Sequence, residues 1–144
     1  MEVNIKLLND KAIVPAYAKP GDAGMDLTAT SYEFDPDNGN HIYGTGIAIE
    51  IPQGYVGLVF PRSSNRKKQC YMTNHVGVID SGYRGEVMVT FKNRDADMNT
   101  ETPYNVGDKI AQIIIIPYPI VKFIVVDELS KTERGEGGHG STGN

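Results

Sequence analysis

Apolar residues along this chain come in short runs, most of them alternating with polar ones and broken by proline, glycine, asparagine or aspartate. "VNIKLL" alternates and predicts a strand, and "AGMDLTA" predicts a second. In "GTGIAIEIP", Ile47, Ile49 and Ile51 share one face and Ala48 and Glu50 the other, until Pro52 stops the run. "GYVGLVF" follows the turn at "PQG". "EVMVTFKN" places Val87, Val89 and Phe91 on one face and Met88, Thr90 and Lys92 on the other. "KIAQIIIIPY" reads as a buried strand ended by Pro117, and "IVKFIVVDEL" as a further strand. A sustained helical period is absent; the one helical candidate is a turn or two after "PRSS", through "NRKKQ". Many short strands between proline and glycine turns predict an all-β fold, a closed barrel or sandwich of the jelly-roll kind.

Composition narrows this picture. The chain has 144 residues, enough for one domain with a real core, and its 16 glycines and 8 prolines suit many turns. A hydrophobic fraction of 40% and a charged fraction of 22% are those of a globular protein. The net charge of −4 and a pI near 5.3 argue against bulk attraction to nucleic acid or to an anionic membrane. An anionic ligand must therefore be held by a local cluster of donors. Cys70 is the single cysteine, so no intramolecular disulfide is possible and a reducing, cytoplasmic setting is expected. His41, His75 and His139 stand at no zinc-like spacing from it. The N-terminus does not resemble a signal peptide, and no run approaches the roughly 18 to 20 apolar residues of a membrane span.

Five segments carry candidate chemistry. In "GVIDSGYRGE", Ser81-Gly82 reads as a two-residue hairpin loop in which Gly82 takes a positive φ. Asp80 and Tyr83 then oppose each other on one face, an acid able to orient a water beside a ring able to wall off a ligand. An ordinary solvated turn aspartate is the competing reading. In "PRSSNRKK", a serine N-cap would start a short helix whose free N–H groups converge with two hydroxyls and Arg62 on an anion such as phosphate. Lys67 and Lys68 read as a solvated basic turn, and the part played by Arg66 stays open. In "GDKIAQIIII", Gln112 is a polar amide in an apolar run, which needs partners in the backbone or a ligand. In "AGMDL", Asp26 could pair with an arginine or bind water around a metal. The tail "RGEGGHGSTGN", residues 134–144, has no aliphatic side chain and cannot order itself by burial. Its "GEGGHGS" has the outline of a phosphate-cradling loop but lacks the lysine of a P-loop.

Taken in order, "AGMDL", "PRSS", "NHVGVIDSGYRGE", "GDKIAQIII" and "RGEGGHGSTG" resemble the five motifs of the trimeric dUTP pyrophosphatase (dUTPase) family, over nearly the whole chain from Ala23. The resemblance implies a jelly-roll domain over residues 1–133 and a tail, residues 134–144, that closes over an active site of another chain in a homotrimer. It implies hydrolysis of dUTP to dUMP and pyrophosphate, with Mg2+ held mainly by the substrate phosphates. Asp80 matches the catalytic aspartate that activates a water. Tyr83 would pack on the deoxyribose, and Asn74 with the backbone of Gly77, Val78 and Ile79 would read uracil. Arg62, Ser63, Ser64 and Gln112 would serve the phosphates or their waters. Asp26 and Gln112 would reach the metal through water. Arg134 would bind the γ-phosphate, with His139, Gly140, Ser141 and Thr142 in the lid.

Two positions depart from the family pattern. His139 stands where a phenylalanine is usual, so lid closure is expected to weaken below about pH 6.5 as the imidazole charges. "SSNRK" replaces a Ser-Gly-Leu start, which leaves the roles of Ser64, Asn65 and Arg66 undefined. The rival readings are a dCTP deaminase of the same fold, which needs a glutamate where this chain has Thr90, and a nucleotide-sensing module without turnover.

Overall fold

The computed structural model describes residues 1–95 and 101–138. Among the described residues ten strands, all paired antiparallel, form three sheets. Strands β1 (Asn4–Leu7) and β5 (Ile47–Glu50) make a two-stranded ladder. Strands β2 (Met25–Thr28), β10 (Lys109–Pro117), β6 (Tyr55–Pro61) and β8 (Gly77–Ile79) make a four-stranded sheet in that order. The second four-stranded sheet runs β3 (Ser31–Asp35), β4 (Asn40–Gly44), β9 (Met88–Asn93) and β7 (Cys70–Met72).

Period-two alternation determines which side chains enter the core. Val87, Val89 and Phe91 are buried while Met88 is exposed, and Ile47, Ile49 and Ile51 are buried while Glu50 is exposed. Leu27, Tyr43, Ile110 and Ile113 join them in one cluster between the sheets. Tyr43 is the polar pin of that cluster: its hydroxyl donates to Tyr104 O at 2.9 Å and accepts from Tyr104 N at 3.0 Å. Burial pushes this hydroxyl's pKa up to about 12.

The β3–β4 hairpin is an addition to the strands read from the sequence. Its signal was present in "DPDNGN": Gly39 takes a φ of 65°, and Asp35 accepts from the backbone N–H groups of Asp37 and Asn38 at 3.1 and 3.3 Å.

Two expected elements are different in the structure. Among the described residues the run "IVKFIVVDEL" pairs with no strand, and it is exposed. A strand needs a partner for its N–H and C=O groups, and the described residues supply none. The expected hairpin across Ser81-Gly82 is also absent. Strand β8 pairs with β6, whereas β9 lies in the other four-stranded sheet, so the segment between them crosses from one sheet to the other. Gly82 is not among the positive-φ glycines, because no two-residue hairpin loop has to be closed there.

Candidate active site

Register on the first four-stranded sheet brings three of the five segments together. Gln112 on β10 lies opposite Asp26 on β2 and opposite Phe60 on β6. Arg62, one residue beyond β6, reaches back so that its Nε donates to Asp26 Oδ1 at 2.7 Å. Lys109 Nζ holds the other carboxylate oxygen at 2.8 Å. Burial alone would raise the Asp26 pKa; the hydrogen bonds and charges of Lys109 and Arg62 outweigh it and keep the carboxyl below its ordinary value. Two cations on one carboxylate leave a net positive charge. Gln112 Nε2 donates to Pro61 O at 3.0 Å, and its Oε1 lies so close to Gly24 that any side chain there would collide with it. These groups border a cavity of about 340 Å³ lined by Ala18, Asp22, Ala23, Gly24, Asp26, Arg62, Ser63, Gln112 and Ile114. Lys109 is an addition to the residues expected from sequence; the irregular register between Lys109 and Ala111 against β2, which no local pattern announces, brings it to Asp26.

The segment after Arg62 corrects the serine-cap expectation. Ser63–Lys67 form one short 3₁₀ helix whose N-cap is Arg62, and no side chain caps it. Both serines fall inside the helix rather than before it. Ser64 Oγ accepts from Arg62 Nη1 at 3.4 Å. Asn65 has a structural part: its Oδ1 accepts from the Tyr104 hydroxyl at 2.9 Å and from Cys70 Sγ at 3.4 Å. It thereby ties the helix to the loop before β10.

The second group stands at the other side of the same sheet. Gly77 is buried against Val59, which leaves a Cβ only 3.2 Å from the Val59 Cβ, and Asn74 Nδ2 lies 3.5 Å from that point. His75, between Asn74 and β8, holds a φ of 57°. Val78 and Asp80 are exposed and Ile79 is half-buried. Past β8 the chain turns at Asp80, where Tyr83 N donates to Asp80 O at 3.0 Å. Arg84 laces the turn through bonds from Nη1 to Ser81 O at 2.7 Å and Tyr83 O at 2.9 Å, and pairs with Glu50 at 3.2 Å.

Strand register gives the spacing between the two groups. Ile79 lies opposite Gly57, which lies opposite Ile115, so Asp80 falls level with Ile116, four residues along β10 from Gln112 and two strands across. At ordinary strand dimensions that is about 16 Å. Within one chain, then, Asp80, Asn74 and Tyr83 are not gathered with Arg62, Ser63 and Gln112. Arg134 joins neither: it is exposed, and its Nε donates to Gly137 O at 2.9 Å within the tail. His139, Gly140, Ser141 and Thr142 lie outside the described residues.

Among the described residues no cluster of three or more His, Cys, Asp or Glu side chains could hold a metal ion, and no helix is long and apolar enough to cross a membrane. Asp26 retains lone pairs beyond the two engaged by Arg62 and Lys109, enough to accept from water but not to build a cage. This donor set suits Mg2+ carried by a ligand and its waters, the usual habit of that ion.

Known proteins resemble this chain in sequence and fold. A model of the dUTPase family matches residues 10–143. A deoxyuridine 5'-triphosphate nucleotidohydrolase of Leifsonia xyli subsp. xyli is 42% identical over 133 residues, covering 90% of this chain and 85% of that one. Among solved structures, the dUTPase of Staphylococcus bacteriophage 80alpha with dUPNHPP superposes with a TM-score of 0.83 at 29% identity, covering 99% of each chain. A variant dUTPase from phage phi11 of S. aureus, described with a structural Mg(II) ion, superposes with a TM-score of 0.75 at 27% identity, over 89% of this chain and 98% of that one. The residues that the family model matches span all five segments, and the chain belongs to the dUTPase family.

Proposed function

We propose that the chain hydrolyses dUTP to dUMP and pyrophosphate, and that each active site draws on more than one copy of the chain. One observation carries the shared-site reading. The acid at Asp80 and the donors at Arg62, Ser63 and Gln112 stand about 16 Å apart on one sheet by strand dimensions. A general base must reach the attacking water directly, so the two groups of a single chain do not serve one α-phosphate. Asp80 of one copy and the donor cluster of another do.

Asp80 takes a proton from a water whose oxygen attacks the α-phosphorus in line. The bond from the α-phosphorus to the bridging oxygen breaks, and that oxygen leaves with pyrophosphate. Arg62, with its excess positive charge, and Ser63 hold the phosphate chain. Gln112 and Asp26 hold its water shell. When bound with the triphosphate, Mg2+ would offset its charge, and Asp26 and Gln112 would hold that ion through water. Tyr83 stands against the deoxyribose and Asn74, Gly77, Val78 and Ile79 against the uracil edge. Arg134 binds the γ-phosphate with Ser141 and Thr142 as further donors, and His139 stacks on uracil with Gly140 beside it in the lid, residues 1–133 being the domain and 134–144 the tail.

Residues 120–126 support a homotrimer with exchanged C-terminal segments. Ile120, Val121, Phe123, Ile124, Val125 and Val126 are apolar and uncovered in their own chain, with Lys122 the one charge among them. Among the described residues strand β1 has β5 alone beside it, and an apolar cavity of about 250 Å³ lined by Val3, Ile5, Val14, Tyr17 and Met25 opens next to it. The same segment of another copy is the occupant that fits both.

Purified protein with magnesium, incubated separately with dUTP, dCTP, dTTP and UTP, tests the activity. Pyrophosphate from dUTP alone is expected. Ammonia from dCTP, or no turnover of any nucleotide, would overturn the assignment.

A further inference from the structure

We propose that Gly85 and Glu86 are positioning residues that lock the Tyr83 ring and so set the enzyme's preference for a deoxyribose over a ribose. The inference rests on the reading that Tyr83 walls the sugar. A wall can reject one added hydroxyl only if it does not move, yet Tyr83 is exposed and sits on a turn outside any ladder. Left to itself such a ring exchanges rotamers freely.

Two contacts hold it. The Tyr83 hydroxyl donates to Glu86 O at 3.0 Å. The ring is folded back over Gly85: a Cβ there would collide with the Tyr83 hydroxyl and lie 2.6 Å from Cζ and 2.9 Å from Cε2. Gly85 has no positive φ, so its lack of a side chain serves this close approach rather than a special backbone conformation.

The acceptor carbonyl is itself fixed. Glu86 does not point its carboxylate into solvent; Oε1 accepts the Gly46 N–H at 2.7 Å. Gly46 presents that N–H from a φ of +68°, and the carboxylate passes over Gly44, where a Cβ would lie 2.6 Å from Oε1. The next residue is tied down as well: Val87 N donates to Ile47 O at 2.9 Å, and Val87 O accepts from the Thr45 hydroxyl at 2.5 Å. The glycine turn before β5 therefore anchors Glu86, Glu86 fixes the ring's hydroxyl, and Gly85 supplies the floor. Neither Gly85 nor Glu86 touches the reacting atoms.

The test is kcat/KM for dUTP and for UTP, measured on Gly85→Ala, Glu86→Ala, Glu86→Gln and Tyr83→Ala with a thermal melt for each. Gly85→Ala and Glu86→Ala should lower the preference for dUTP over UTP by about tenfold, in the range that a single pocket contact controls. Glu86→Gln, whose amide oxygen still accepts the Gly46 N–H, should stay within about twofold of the parent. A purely structural role would lower both nucleotides together and leave their ratio unchanged; that result overturns the proposal. If Tyr83→Ala loses the preference while Gly85→Ala keeps it, the locking device is wrong and the sugar wall stands. If Tyr83→Ala keeps the preference, the sugar wall fails and the proposal with it. Should Glu86→Ala not fold, Gly85→Ala and Glu86→Gln still decide.

Discussion

Strand β10, "KIAQIIIIP", and the segment that follows it, "YPIVKFIVV", are equally apolar on the page and opposite in the structure. Ile110 and Ile113 are 0% exposed, whereas Ile120, Phe123 and Val125 are 82%, 91% and 98% exposed. Strand β10 runs between β2 and β6, so its backbone groups have partners on both sides. Beyond Tyr118, whose N–H donates to Gly54 O at 3.0 Å, the later segment pairs with no strand among the described residues. Hydrophobic pattern specifies that a run will be buried; it does not specify in which copy of the chain. A run of this length left open marks an interface. The same division separates the two halves of the candidate site. The Asp26–Arg62–Lys109 cluster is paired within one chain, whereas the Asp80 turn stands about 16 Å from it by strand dimensions.

If that division is right, equal changes on the two sides should have unequal consequences. Ile113→Asp puts an unpaired charge into the core and should cost more than about 4 kcal/mol, leaving no folded protein by circular dichroism. Phe123→Asp should leave a folded chain of monomer mass. A Phe123→Asp protein that unfolds like Ile113→Asp would break the comparison. Asp80→Asn removes a group that the fold does not use, so it should lower kcat by roughly 10² to 10⁴ while the melting temperature stays put. Phe123→Ala should weaken each interface by about 1.5 to 3 kcal/mol, read as a shift in the concentration at which the assembly dissociates.

The smallest effect concerns Asp26. Asp26→Asn should cost about 1 kcal/mol, since the pairs it breaks are partly solvated. Its folded pKa lies below the ordinary value of 3.8, so the ionised carboxylate is the form the fold favours. The contribution is whole above that value and is lost as pH falls through the folded one. Acid denaturation of Asp26→Asn should therefore lack this component, which a pH series of melting curves would detect.

Much of this was legible in the sequence. The alternation in "GIAIEIP" and "VMVTFKN" marks most of the side chains that enter the core, with the small Ala48 buried as well, and pairing with an arginine is one of the two readings open for the aspartate of "AGMDL". What failed were readings that depend on the partner of a segment. The stretch "GVIDSGYRGE" looks like a hairpin because a local pattern carries no information about which sheet the next strand joins. The serines of "PRSS" look like caps, but Arg62, drawn to Asp26, takes the cap position. Asn65 and Lys109 could not be placed without the long-range contacts to Tyr104 and Asp26 that give them their roles.

The division is tested most directly by mixing two disabled chains. Asp80→Asn and Arg62→Ala are each expected to be nearly inactive. Co-expressed and purified as mixed assemblies, they should regain about a quarter of the wild-type rate, the fraction of sites that by chance pair an intact Asp80 with an intact Arg62 from different copies. A mixture no more active than the two variants alone would contradict the account, because it would mean that Asp80 and Arg62 act together within one chain.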